Sequence, residues 1–168
     1  MSEKIVKLNK KFFFSFLIIF VCFLLDRCTK VLVINKFIYN DFKELYINSY
    51  LNLTLLWNKG IAFGLFQSEA IFYHLISIII FTIILFIIYL AYKSRTYFEL
   101  IGLSLVIGGA IGNLIDRIYY NAVPDFIDFH IGNFHWFTFN VSDICITIGL
   151  VQLIFYDICK NIKFKNNV

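Results

Sequence analysis

Ala70-Ile71-Phe72-Tyr73-His74-Leu75-Ile76-Ser77-Ile78-Ile79-Ile80-Phe81-Thr82-Ile83-Ile84-Leu85-Phe86-Ile87-Ile88-Tyr89-Leu90-Ala91-Tyr92 is an apolar run with no Asp, Glu, Lys or Arg and a single histidine, His74. A bilayer core about 30 Å thick is crossed by about 20 helical residues rising 1.5 Å each. This run is long enough to cross. His74, alone on an apolar helix, is expected to be a satisfied core residue.

Three further runs of that length lie on either side of it. The first spans about 12–34, apolar as far as Leu25 and then broken by Asp26, Arg27 and Lys30. Another spans about 97–118, with a glycine cluster and with Asp116 and Arg117 near its end. The last spans about 139–158, with Asp143 near its start. Over all 168 residues, 60% are hydrophobic and only 15% charged, where a soluble domain carries about a quarter charged. A soluble enzyme, a disordered tail and a disulfide scaffold are thereby excluded. The four cysteines, Cys22, Cys28, Cys145 and Cys159, fall within or beside apolar runs with no CxxC pair and read as small apolar packers.

The net charge of +4 brackets the apolar runs, so it reports orientation and implies no nucleic-acid partner. Nine of the 15 basic residues flank one side: Lys4, Lys7, Lys10 and Lys11, then Lys93 and Arg95, then Lys160, Lys163 and Lys165. Basic flanks stay in the cytoplasm, which predicts both termini inside and the segments near 35–69 and 119–138 outside. A cleaved leader is not expected, because no small-x-small site follows the first run. In the first outer segment, Leu45 to Leu56 reads as strand, with Lys59-Gly60 and Gly64 as turn positions. The expected fold is an integral membrane all-α bundle of four transmembrane helices with a small extracytoplasmic β element. No internal repeat or linker divides residues 1–168, so one membrane-embedded domain is expected.

An Asp at the centre of a membrane helix costs roughly 2.5 to 3.5 kcal/mol on insertion scales, so polar residues inside spans need a reason. Their depth is informative. Asp26 lies about 21 Å along its helix from Phe12, in the outer half. Asp116, Asp125, Asp128 and Asp143 fall at the same level, so five of the 11 acids converge near the outer interface. Gly108 and Gly112 share a helix face and let a neighbour approach. Asn113, Asp116 and Arg117 follow on one face. With Asp26 they read as a polar clasp, Asp116 being neutralised by Arg117 or Lys30, in support of a site elsewhere.

Asp125 and Asp143 differ in having no adjacent basic residue. Val123-Pro124-Asp125-Phe126 holds one carboxylate in an apolar stretch that Pro124 stiffens, and Phe139-Asn140-Val141-Ser142-Asp143 sets the other at a helix entrance. Two carboxylates in one poorly solvated site share a proton, and a charged base beside a neutral acid can activate water on a peptide carbonyl. Buried structural carboxylates are the competing reading. His130 and His135, with Asp125 and Asp128, suggest a metal set, but their spacing fits no standard zinc pattern. No metal and no cofactor is expected. A small transporter or channel subunit that binds cations through its outer carboxylates is the functional alternative; it calls for polar residues spread through the membrane depth, whereas here they gather at one level.

Together these motifs resemble bacterial lipoprotein signal peptidase, or signal peptidase II. The resemblance rests on Leu25-Asp26-Arg27-Cys28-Thr29-Lys30, on Asn58-Lys59-Gly60-Ile61-Ala62-Phe63, on Gly108-Gly109-Ala110-Ile111-Gly112-Asn113-Leu114-Ile115-Asp116-Arg117, on Val123-Pro124-Asp125-Phe126 and on Phe139-Asn140-Val141-Ser142-Asp143, in that order. It implies an aspartic endopeptidase of the bacterial cytoplasmic (inner) membrane that cleaves prolipoproteins just before a diacylglyceryl-modified cysteine. Asp125 and Asp143 match the family's catalytic aspartates. Asn58, Gly108, Asn113, Arg117 and Asn140 match positions that support the dyad or contact substrate, and Asp26 and Asp116 match structural ones. Lys59, Ile61, Pro124 and Ser142 depart from the family's usual Thr, Ala, Val and Ala, and Ser142 is expected to add a hydroxyl beside a catalytic carboxylate. The expected partners are diacylglyceryl prolipoproteins and membrane lipids, with the enzyme acting as a monomer and its site at the outer face.

Overall fold

The computed structural model describes residues 2–39, 42–59 and 70–165. Helix α1 (Ser2–Tyr39) leads into strands β1 (Glu44–Asn48) and β2 (Leu51–Asn58). Helices α2 (Ala70–Lys93) and α3 (Tyr97–Tyr120) follow, then β3 (Val123–Ile131), β4 (Phe134–Phe139) and α4 (Val141–Lys165). Among the described residues, Tyr73–Lys93, Tyr97–Tyr120 and Val141–Ile162 are long and apolar enough to cross a membrane. The chain is therefore a multi-pass membrane protein. The apolar run 12–34 lies inside the longer α1, which also carries Asp26, Arg27 and Lys30.

Helix α3 is central, packing on α1, α2 and α4. Its start is capped: the Thr96 hydroxyl accepts the Glu99 N–H at 3.2 Å, and the Glu99 carboxylate reaches back to the Arg95 N–H at 3.0 Å. Its end is turned by Asn121, left-handed at φ 53°. Glycines bring the neighbours in close. A Cβ on Gly108 would lie 2.8 Å from the Cys22 Cβ on α1, and one on Gly149 of α4 would lie 2.6 Å from the Gly102 carbonyl oxygen. The buried hydroxyls of Ser15 and Ser104 join α1 to α3 at 2.7 Å. Ala91 of α2 and Leu100, Leu103 and Ile107 of α3 form a buried apolar cluster, with Ile19 of α1 and Leu153 of α4 packed against it. By contrast α2 turns Ile78, Phe81, Ile83 and Phe86 outward, as a helix bathed in lipid does.

The sheet is antiparallel in the order β1-β2-β3-β4. It is seated on the end of α1 by Val33 and Phe37, which pack with Phe126, Leu53 and Leu55. Several sequence expectations are corrected here. The stretch Leu45 to Leu56 is a hairpin, turned where the Asn48 side chain accepts the Tyr50 N–H at 2.8 Å. The second outer segment, read as a connection, contributes β3 and β4, joined at Gly132 with φ 59°. The last helix starts at Val141, because Phe139 still belongs to β4. His74 is exposed near the start of α2, edge-on to Tyr73. Of the cysteines, Cys22 and Cys145 are buried as expected but Cys28 is exposed. The turn positions Gly60 and Gly64 and the matched residues Ile61, Ala62 and Phe63 lie outside the described residues.

Candidate active site

Two polar clusters meet where the sheet joins the helix bundle. The deeper one is centred on Lys30, whose side chain is fully buried. Its ammonium donates to Asp26 at 2.8 Å, to Asn113 at 3.0 Å and to Asp116 at 2.6 Å, so each of its three protons has an acceptor. The Arg27 guanidinium pairs with the other oxygen of Asp116. The second oxygen of Asp26 accepts the main-chain N–H of Ser142 at 2.9 Å, tying α1 to the first turn of α4. The clasp expected around Asp26, Asn113 and Asp116 thus exists, with Lys30 as its hub. Arg117 is not the partner of Asp116. Consecutive helical residues point about 100° apart, and Arg117 instead donates to the Asn113 carbonyl at 3.2 Å, within electrostatic reach of Asp143 and Asp125. Arg27, not singled out in the sequence, takes the pairing role.

The second cluster is built around Asp125 on β3 and Asp143 at the third position of α4. Asn140 joins them. Its side-chain oxygen caps α4 by accepting the Asp143 N–H at 3.1 Å, while the Asp143 carboxylate accepts the Asn140 N–H at 3.1 Å, the reciprocal pair of a capping box. The same side chain donates to Asp125 at 2.6 Å. Asn58, at the end of β2, donates to the other Asp125 oxygen at 2.9 Å, placed there because β2 runs beside β3 with Leu56 opposite Asp125. Asn113 donates to Asp143 at 2.8 Å. Its carbonyl oxygen is the one that Lys30 holds, so this amide is oriented by the clasp and its N–H must face the dyad.

All four carboxylate oxygens therefore receive neutral N–H donors, and among the described residues no ion pair reaches either aspartate. Asp125 is only 3% exposed. Burial pushes its carboxyl up to about 6 and the Asp143 charge adds to this, against the pull of the Asn58 and Asn140 amides. Pro124 is tolerated in β3 because the pairing with β4 spans Ile127 to Ile131 and leaves Pro124 beside β2 alone.

The remaining matched positions serve packing. Gly108 faces Ile19 and Cys22 on α1. Gly112 opens the space occupied by Ser142 and Asp26: a Cβ there would meet the Asp26 carboxylate at 2.7 Å. The Ser142 hydroxyl, expected beside a catalytic carboxylate, is buried against Gly112 with no hydrogen-bond partner among the described residues. Beside Asp143 opens an apolar cavity of about 220 Å³, lined also by Phe137, Phe139, Ile144, Thr147 and Ile148. His130 and His135 do not join Asp125. They gather with Asp128 further along the sheet.

Residues 18–159 match the sequence profile of the family described as Signal peptidase (SPase) II. This chain belongs to that family. It is 46% identical over 165 residues to the lipoprotein signal peptidase of Pelagibacter ubique (strain HTCC1062), covering 95% of this chain and 97% of the relative. It is 35% identical over 151 residues to the lipoprotein signal peptidase of Anaplasma phagocytophilum (strain HZ), covering 90% and 96%. A bacterial membrane enzyme structure obtained by the in meso method at 2.3 Å resolution superposes with a TM-score of 0.71 at 30% identity, over 88% of each chain. The protein is thus a membrane peptidase of the signal peptidase II family, and the amide-bound aspartate pair is its candidate catalytic centre.

Proposed function

We propose that this peptidase removes signal peptides from prolipoproteins, cutting just before a diacylglyceryl-modified cysteine, with Asp125 and Asp143 as the catalytic dyad. The observation that carries the proposal is the Asn140 bridge: its side chain donates to the Asp125 carboxyl and its main-chain N–H to the Asp143 carboxyl, so one residue holds both carboxyls, and among the described residues neither has a cation partner. Asp125, whose proton burial retains up to about pH 6, serves as the acid. Asp143 serves as the base. Asp143 takes a proton from water as the water oxygen bonds to the scissile carbonyl carbon. Asp125 gives its proton to the carbonyl oxygen; in the collapse of the tetrahedral intermediate Asp125 takes a hydroxyl proton back as the carbonyl re-forms, the C–N bond breaks, and the leaving cysteine nitrogen takes the proton held by Asp143. Asn58, Asn113 and Asn140 hold the carboxyls in place, and Arg117 adds positive potential. The apolar cavity beside Asp143 suits the lipid-bearing or leader segment of such a substrate.

In this reading α1 is a fourth membrane span, both termini are cytoplasmic, and the dyad lies at the outer face of the bacterial inner membrane. A substrate anchored by its acyl chains then presents its scissile bond at the level of the dyad. The enzyme acts as a monomer among membrane lipids, as one domain over residues 1–168. A cation pathway has less support: the Ser77 and Thr82 hydroxyls of α2 are turned onto carbonyls of their own helix, at 3.0 and 2.9 Å. The decisive experiment is incubation of the purified protein with a diacylglyceryl prolipoprotein. A signal peptide released by the wild type, with a chelator present, supports the proposal. Intact precursor, or cleavage only of substrate lacking diacylglycerol, defeats it.

A further inference from the structure

We propose that Asp128, His130 and His135 form a binding site for one divalent transition-metal ion, with zinc the best fit, that clips β3 to β4. A carboxylate oxygen of Asp128 and one ring nitrogen from each histidine lie within 4.8 Å of one another. Register brings them together: His130 faces His135 across the β3–β4 pairing, and their rings stack with centroids 5.0 Å apart and planes 23° apart. Ligands at 2.0 to 2.2 Å from a tetrahedral ion stand roughly 3.3 to 3.6 Å from each other, so the set closes on an ion with movements of about 1 Å. The His135 side chain is 54% exposed and its Nδ1 lies 2.8 Å from the Asp128 carboxylate, so it is the ligand with room to move, while the side chain of Asp128 is 7% exposed and fixed.

The second observation is on His130, which is 8% exposed. Its Nδ1 is buried and has no hydrogen-bond partner among the described residues. Buried polar nitrogens are nearly always satisfied, and this imidazole lies against a carboxylate and a second imidazole, the donor set that metal coordination joins. Two imidazoles and a carboxylate favour zinc over magnesium or calcium, which prefer oxygen alone. The fourth position opens on the exposed side of His135, where water completes the shell. The backbone backs the site, since the His130 N–H donates to the Tyr50 carbonyl at 3.0 Å. Asp128 follows Asp125 by three residues on β3, and β4 ends beside Asn140, so the clip braces the two strands that deliver the dyad. It is separate from bond cleavage.

Untagged full-length protein in detergent, stripped with a chelator and dialysed, is titrated with zinc chloride by calorimetry while unfolding is followed by heating. The expected result is one zinc per chain and a Tm that rises with zinc and is unmoved by magnesium. Cobalt in place of zinc is expected to give the visible absorption of a four-coordinate ion. His135→Ala is expected to weaken zinc binding by about tenfold or more and to abolish the Tm rise. Asp128→Asn is the second variant if the first does not fold. Zinc that fails to bind, that binds His135→Ala as tightly as wild type, or that magnesium replaces reduces the cluster to a hydrogen bond between Asp128 and His135 and overturns the proposal.

Discussion

Asp26 and Asp116 in the clasp and Asp125 and Asp143 in the dyad are all buried or nearly so, meet at one junction and share Asn113, yet their partners are opposite in kind. In the clasp a fully buried ammonium bonds both carboxylates and a guanidinium takes the remaining Asp116 oxygen. In the dyad every donor is an uncharged N–H. A carboxylate bound to a cation is held charged and gains nothing by accepting a proton. One held by amides in a poorly solvated place can exchange a proton near neutral pH. The clasp thus supplies position and the dyad supplies chemistry. Asn113 transmits the first to the second, since its oxygen is taken by Lys30 and its nitrogen by Asp143.

Exchanging carboxylate for amide at each dyad position tests this contrast most severely. Asp125→Asn and Asp143→Asn are each expected to lower cleavage by roughly 10² to 10⁴, measured as signal peptide released per minute by protein that inserts normally. The double variant is expected to be little worse, because the two act as a unit. Either single variant turning over near the wild-type rate would remove the dyad from the mechanism. The clasp is expected to break differently. Lys30→Met leaves Asp26 without its cation and Asp116 with one fewer, a loss of about 3 to 5 kcal/mol for a buried pair broken on one side. It is expected to appear as a large fall in Tm in detergent. A Lys30→Met protein as stable as wild type would show that the clasp does not hold the bundle.

Why the sequence disclosed the dyad more fully than the clasp follows from geometry. Asp125 and Asp143 stand out because no basic residue is near them in the chain, and isolation from charge is what their chemistry requires. Lys30 is four residues from Asp26, a helical neighbour, yet it was read only as a partner for Asp116, and its bond to Asp26 went unread. The pairing of Arg27 with Asp116 spans 89 residues and was hidden by Arg117, which is adjacent in sequence but points elsewhere. The first outer strand was visible in its β-branched and aromatic residues, though its hairpin turn at Asn48 was not. Strands β3 and β4 were missed although Gly132-Asn133, a hairpin signal between two strand-like runs, marked them. The apolar spans announced themselves by length alone, and α1 outran its apolar run because helical pairing continues past the point where lipid is met.

A milder prediction concerns the wall between the two clusters. Gly112→Ala places a methyl against the Ser142 hydroxyl and 2.7 Å from the Asp26 carboxylate, an overpacking expected to cost about 1 to 3 kcal/mol. Ser142→Ala removes a buried hydroxyl that has no partner among the described residues, so alone it is expected to be neutral or slightly stabilising. Combined with Gly112→Ala it is expected to restore part of the lost Tm. If the double variant is no more stable than Gly112→Ala, the crowding comes from Asp26 alone.

The smallest expected effect is the most direct reading of the difference between amide and cation as partners. Asp125 holds its proton up to about pH 6 because burial and the Asp143 charge disfavour ionisation, while the Asn58 and Asn140 amides favour it. If Asp125 is the acid, the active dyad carries its proton, and cleavage is expected to fall as pH rises through that value. Asn58→Ala removes an N–H donor that stabilises the ionised form, so the Asp125 carboxyl must move higher. The falling limb is then expected to shift toward alkaline pH by roughly half to one pH unit, the worth of one ordinary hydrogen bond, while the maximal rate drops because the carboxyl is less well held. A merely structural Asn58 would lower the rate without moving the limb. If it is instead a rising acid limb that Asn58→Ala moves toward alkaline pH, Asp125 works ionised, and the roles of Asp125 and Asp143 must be exchanged.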